Sequence, residues 1–182
     1  MSQDFHARRL DVRAFAQAGA TLEGKDLLSK YERLLAEAGG QGADRPVHWT
    51  ARGELQADAS GQGRVWLHLQ ADVSLPLTCQ RCLGPADIAL HVDRAFRFVA
   101  TEAQAESEDE ASEEDVLVLS RDFDLAGLVE DELLMELPLV PRHETCPTEV
   151  KLAVQDADFE AAQAAKPQPF AALAGLKGGK SG

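Results

Sequence analysis

The sequence predicts an α+β protein: an antiparallel β-meander with flanking helices, one domain carrying a disordered acidic loop and a flexible C-terminal tail. Three observations lead there. Apolar and polar residues alternate with period two through the middle of the chain. Stripes at helical spacing lie on both sides of that region. An acidic run and an acid-free end break the pattern. On this reading residues 1–165 form the domain, with the acidic loop at about 102–115 inside it, and residues 166–182 form a C-terminal motif and tail.

Each element follows in order. "GKDLLSKYERLLAEAG" puts Leu27, Leu28, Tyr31, Leu34 and Leu35 on one stripe and stops at Gly39 and Gly40, so it reads as a helix. In "VHWTARGELQA" the residues Val47, Trp49, Ala51, Leu55 and Ala57 alternate with polar neighbours, as in a strand with one wet face. The turn signal "DASGQG" follows. Val65, Leu67, Leu69, Ala71, Val73, Leu75 and Leu77 then repeat the alternation. So do Ile88, Leu90, Val92, Phe96 and Phe98, with Arg94 as the break. Short turns between three such runs indicate an antiparallel meander, and "VLVL" at Val116–Leu119 suits a fourth strand. Leu125, Leu128, Val129, Glu132, Leu133 and Leu137 fall at helical spacing, with Asp122 or Asp124 to cap the start and Pro138 to stop the helix. This helix, Asp124–Leu137, should lie on the apolar face of the sheet.

Composition narrows the function classes. The 182 residues are 45% apolar but only 5% aromatic, so the core must be mostly aliphatic. The opening "MSQDFHARRLDVRAF" has no apolar signal-peptide region, and no run approaches the roughly 20 apolar residues that span a bilayer. A cytoplasmic protein without membrane contact is therefore expected. Three cysteines in a reducing compartment favour metal binding or free thiols over disulfides. The net charge is −13, and Glu102–Asp115 holds eight acids and no base. That run reads as a disordered, solvated loop; a nucleic-acid or protein mimic made of acids is the sharper alternative.

The chemistry-bearing motif is "LTCQRCLGP". Cys79 and Cys82 end a strand pattern at a Gly-Pro turn, which is how a zinc knuckle presents two thiolates. "RHETC" supplies His143 and Cys146, three apart, completing a candidate site of three sulfurs and one nitrogen for a structural zinc ion. Two other readings stay open. Cys79 continues the apolar face of its strand, so the thiols can be core residues. Arg81 between them would favour thiolates, so they can be a redox pair. His6, His48, His68 and His91 read as surface residues. Glu130, Asp131, Glu132 and Glu136 read as the charged face of an amphipathic helix rather than a catalytic cluster.

Three blocks, "LTCQRCLGP", "FDLAGLVEDELLMELPLVPRHETC" and "KPQPFAALAGLK", resemble in order and spacing the YceD family of large ribosomal RNA subunit accumulation proteins. The resemblance runs roughly from Val47 to Lys177. It implies a non-enzymatic factor for synthesis, processing or stability of 23S-type rRNA in large-subunit biogenesis. The family's cysteine pair falls on Cys79 and Cys82 and its acidic helix on Val129–Glu132. Its proline-bounded segment falls on Leu137–Pro141, and its C-terminal motif on Pro167, Pro169, Phe170, Leu173 and Leu176. Many relatives carry a cysteine-rich ending after the proline segment; here only His143 and Cys146 stand there.

The charge bears on partners. A chain at −13 is poorly matched to bulk rRNA phosphate, so basic proteins of ribosome assembly or rRNA maturation are the expected partners. Arg8, Arg9, Arg13, Lys166, Lys177 and Lys180 are the cations available for direct rRNA contact. In the tail, Pro169 opens a short apolar face of Phe170, Leu173 and Leu176, followed by Lys177, which suits insertion into a partner's groove. The alternative function class is a thiol or zinc-dependent enzyme using Cys79 and Cys82. Nothing in the residues indicates an oligomeric state.

Overall fold

The structure is a computed structural model and describes residues 4–57, 63–109, 112, 114–149 and 158–159. The chain divides into two units, Met1–Pro147 and Thr148–Gly182. The architecture below is that of the first. Of the turn expected at residues 58–63, residues 58–62 lie outside the described residues, as does the domain boundary expected at 165.

The alternating segments become three long strands, β2 (Pro46–Ala57), β3 (Gly63–Thr78) and β4 (Pro85–Val99), paired antiparallel. Strand side chains point alternately to opposite faces, so the register sets what is buried. Ala71 pairs with Val92, Val73 with Leu90 and Leu67 with Phe96, and all are buried on one face. Leu55, expected to face inward, is 43% exposed near the end of β2.

The antiparallel meander is extended at both edges. A further strand, β1 (Thr21–Leu27), pairs antiparallel with β2 where a helix was expected. A single 3₁₀ turn, Leu28–Lys30, then leads to a short helix. This short helix is α2 (Glu32–Glu37), and an earlier helix, α1 (Val12–Gln17), precedes β1. The physical reason for β1 is Trp49 on β2. Gly24 stands opposite it, and a Cβ there would fall 2.1 Å from the indole. The indole Nε1 donates to Asp26 at 3.1 Å. At the other edge β5 (Asp115–Val118) pairs parallel to β4, giving a mixed five-stranded sheet in the order β1-β2-β3-β4-β5.

The acidic run is ordered in part, contrary to expectation. Glu102–Asp109 forms helix α3, the crossover between the parallel strands β4 and β5. It is held by contact of Ala105 with Val99, Val116 and Val118, and by Arg97, which donates to Glu108 and to Ser112 Oγ (2.8 Å). Arg94, the break in the alternation, pairs with Asp115.

Helix α4 (Leu125–Met135) forms where predicted. Asp124 caps it, accepting from Gly127 N–H at 3.0 Å. Leu125, Val129 and Leu133 recur every four residues and are fully buried. Helices α1, α2 and α4 share one core with the inner face of the sheet. α1 carried no signal strong enough to predict it. Asp11 caps it, and Leu10 and Phe123 exchange backbone hydrogen bonds that tie this segment to the start of α4. Among the described residues no helix is long and apolar enough to cross a membrane.

Candidate metal centre

The β3–β4 turn builds the first half of the centre. β3 ends at Thr78, and Cys79 closes the turn with both backbone groups: its N–H donates to Gly84 O at 2.9 Å, and its C=O accepts from Leu83 N–H at 2.8 Å. Leu83 takes the left-handed conformation, φ 59°, that a turn this tight demands. Cys79 is fully buried, continuing the inner face through Leu75 and Leu77. The core reading of Cys79 and the cluster reading are therefore both true of its position.

The second half is brought back by backbone bonds. Beyond α4 the chain passes Pro138 and docks on the turn, where Gln80 N–H donates to Pro141 O at 2.8 Å. His143 N–H then points at Cys79 Sγ (3.5 Å). Cys79 Sγ stands 3.8 Å from Cys146 Sγ, and Cys82 Sγ stands 3.4 Å from His143 Nδ1. The ligand atoms of Cys79, Cys82, His143 and Cys146 all lie within 4.8 Å of one another, a set that could hold a metal ion. All three cysteines are free thiols. His143 Nε2 lies 2.9 Å from Pro85 O, which keeps the ring's proton on that side and leaves Nδ1 facing the sulfurs.

The local electrostatics favour an anionic Cys79. Burial would raise the Cys79 pKa, but the backbone N–H groups of Cys82, His143 and Arg81 outweigh it and bring the thiol down to about 5. For Cys82 the Gly84 N–H works in the same direction, yet burial and the neighbouring Cys79 and Cys146 push it up. Contact with Cys146 and Cys79 raises His143. Arg81 plays a part the spacing did not reveal. Its Nε donates to Cys146 Sγ (3.0 Å), and its other arm donates to the carbonyls of His143 (3.2 Å) and Glu144 (3.3 Å). One guanidinium thus clips the loop carrying His143 and Cys146 to the turn. The only signal for it was its place between the two cysteines.

The remaining candidates fall elsewhere. Pro169, Phe170, Leu173, Leu176 and Lys177, with Lys166 and Lys180, lie outside the described residues. His68 sits 3.0 Å from Glu54, and His91 sits 2.7 Å from Asp72, which raises its pKa. The acidic residues of α4 are not simply a solvated face. Glu130 accepts from the backbone N–H of Arg33 (2.8 Å) and Leu34 (3.2 Å), so it caps α2 from another helix. Its other oxygen receives the Arg33 guanidinium. Glu132 is buried near Arg94, and burial raises its pKa.

Comparison with known proteins covers the same segment. The family model described as large ribosomal RNA subunit accumulation protein YceD matches residues 67–177. A relative from Haemophilus influenzae with that same description is 37% identical over 109 residues, 59% of this chain. The chain spans 63% of that relative's length. No solved structure matches. The family model covers more than half of the chain, including both cysteine-bearing halves of the centre: the chain belongs to the YceD family.

Proposed function

We propose that this chain supports accumulation of the large ribosomal RNA, acting on synthesis, processing or stability of 23S rRNA in the cytoplasm as a non-enzymatic factor that works through protein partners. The observation that carries the reading is the match of the large ribosomal RNA subunit accumulation family over residues 67–177. The net charge of −13 supports partners that are basic proteins rather than bulk rRNA, since phosphate affinity depends on Lys and Arg.

The centre is a structural zinc site. A tetrahedral zinc ion with bonds of about 2.3 Å to sulfur and about 2.0–2.1 Å to nitrogen sets S–S edges of about 3.8 Å and S–N edges of about 3.6 Å. The Cys79–Cys146 edge is 3.8 Å and the Cys82–His143 edge is 3.4 Å. Four protein ligands fill the coordination shell and leave no position for substrate water, which supports a structural over a catalytic metal. Cys79 is sealed from solvent, a poor placement for an attacking thiolate, so the enzyme alternative is the weaker one. The ion would join the β3–β4 turn to the loop after α4 and so hold the proline-bounded segment Leu137–Pro141 in place.

Pulldown of the tagged full chain, with and without RNase, tests the reading. Assembly or maturation proteins retained after RNase are expected; loss of every partner on RNase treatment would overturn recruitment through protein.

A further inference from the structure

Arg81 stands between the two cysteines of the β3–β4 turn, yet among the described residues its hydrogen bonds all reach across to the other half of the centre. Two of them, to the carbonyls of His143 and Glu144, would be enough to shape the loop. The third goes to a candidate ligand atom itself: Nε donates to Cys146 Sγ at 3.0 Å, a short approach for an atom as large as sulfur.

Cys146 is the member of the set with the fewest other anchors. Cys79 is fixed by its own N–H and C=O in the turn and receives the His143 N–H at 3.5 Å. His143 is held through Nε2 on Pro85 O at 2.9 Å. Among the described residues no backbone–backbone hydrogen bond reaches Cys146, and its sulfur meets Cys79 Sγ at 3.8 Å and the Arg81 guanidinium. Its place beside the other three therefore depends on Arg81.

Charge supplies a second argument. Three thiolates and a neutral imidazole around a divalent ion leave one surplus negative charge. Cys79 is sealed from solvent, and a charge in such surroundings is costly without a partner. The guanidinium is positive at every working pH. It lies against Cys146 and is close enough to Cys79 and Cys82 for both to act on it through space.

We propose that Arg81 is a positioning residue of the metal centre: it holds Cys146 in the coordination shell and balances the surplus charge of three thiolates on one zinc ion. The inference rests on the structural zinc site proposed above and deepens it. The N–H···S bond has a consequence beyond geometry. It draws electron density from the Cys146 sulfur, so that sulfur passes less of it to the metal.

The test is metal binding by the full chain with its thiols reduced. Zinc is titrated in competition with a chromophoric chelator, and cobalt(II) is bound in a parallel sample so that the thiolate-to-cobalt charge-transfer band can be read. Arg81→Gln removes the charge and should weaken zinc binding by about 10–100-fold, the range for loss of a partner that supports a ligating group. Arg81→Lys keeps a cation within reach of Cys146 without the paired carbonyl contacts, and should recover most of that loss. In Arg81→Gln the cobalt band should move to longer wavelength, because a thiolate without its N–H donor gives up electron density more easily. A loop that is merely loosened would weaken binding and leave the band in place. Equal zinc affinity of wild type and Arg81→Gln, an unmoved cobalt band, or a loss in Arg81→Lys as large as in Arg81→Gln would overturn the inference and leave the zinc site standing. A wild-type chain that binds neither metal would overturn the zinc site, and this inference with it.

Discussion

Glu130→Ala should be among the most damaging single changes on the polar side of α4. Helix α2 begins after Tyr31, whose side chain makes no capping hydrogen bond, so its first N–H groups need an acceptor from elsewhere. Glu130 supplies it to Arg33 N–H and Leu34 N–H, and binds the Arg33 guanidinium with its second oxygen. Loss of a cap costs about 1 kcal/mol. Loss of a carboxylate at a helix N-terminus and of a half-exposed ion pair adds about 0.5 kcal/mol each. The sum is about 2 kcal/mol, or a fall in Tm of about 4–8 °C for a unit of this size. The neighbouring Asp131 also pairs with Arg33, at 2.6 Å, but both side chains are more than half exposed. Asp131→Ala should therefore lower Tm by about 1 °C or less. Glu130→Gln keeps an acceptor without the charge and should fall between the two. The assay is thermal unfolding of the three variants beside wild type. Equal losses for Glu130→Ala and Asp131→Ala would refute the capping argument.

Other perturbations test separate parts of the structure. Gly24→Ala puts a methyl group into the Trp49 indole and should cost about 1–3 kcal/mol, read as a shift of the urea midpoint; an unchanged midpoint would mean that β1 does not pack on Trp49 as described. Asp26 is raised by burial but more strongly lowered by Lys30, Trp49 and Tyr31, so its folded pKa lies below the ordinary 3.8. A depressed carboxylate contributes stability that is present above 3.8 and lost as pH falls through the folded value, so wild type should lose more stability than Asp26→Asn between about pH 5 and pH 2. Parallel curves for the two would contradict this. Cys79→Ser should abolish the binding of one zinc ion per chain, and a strong chelator should lower the Tm of wild type but not of the variant; a metal-to-protein ratio near zero in wild type would remove the zinc centre from the account.

The long strands and α4 were legible because each buries one face with aliphatic residues at the proper period. Val65 to Leu77 and Leu125 to Leu133 are nearly free of exceptions. β1 was not legible, since its inward positions include Gly24 and Asp26. One is there to be small under Trp49 and the other to accept its N–H, and neither counts as apolar in a pattern. The stripe from Leu27 to Leu35 read as one helix although strand, 3₁₀ turn and helix each take a share of it. The acidic run concealed α3 because Ala105 and Arg97 hold it, and Arg97 comes from a different element. In the centre, the two pairs of candidate ligands could be read from residue type and spacing, and the structure brings all four together. Arg81 as the clip, and Glu130 as a cap for α2, depend on how distant segments meet, which spacing within one segment does not encode.

The proposed role of this chain is to sustain the large ribosomal RNA. Its most direct test is the ratio of 23S to 16S rRNA in cells lacking the chain, with and without the full-length protein supplied in trans. Loss of the chain should lower the ratio, and the supplied chain should restore it. A ratio unchanged by its loss would contradict that role.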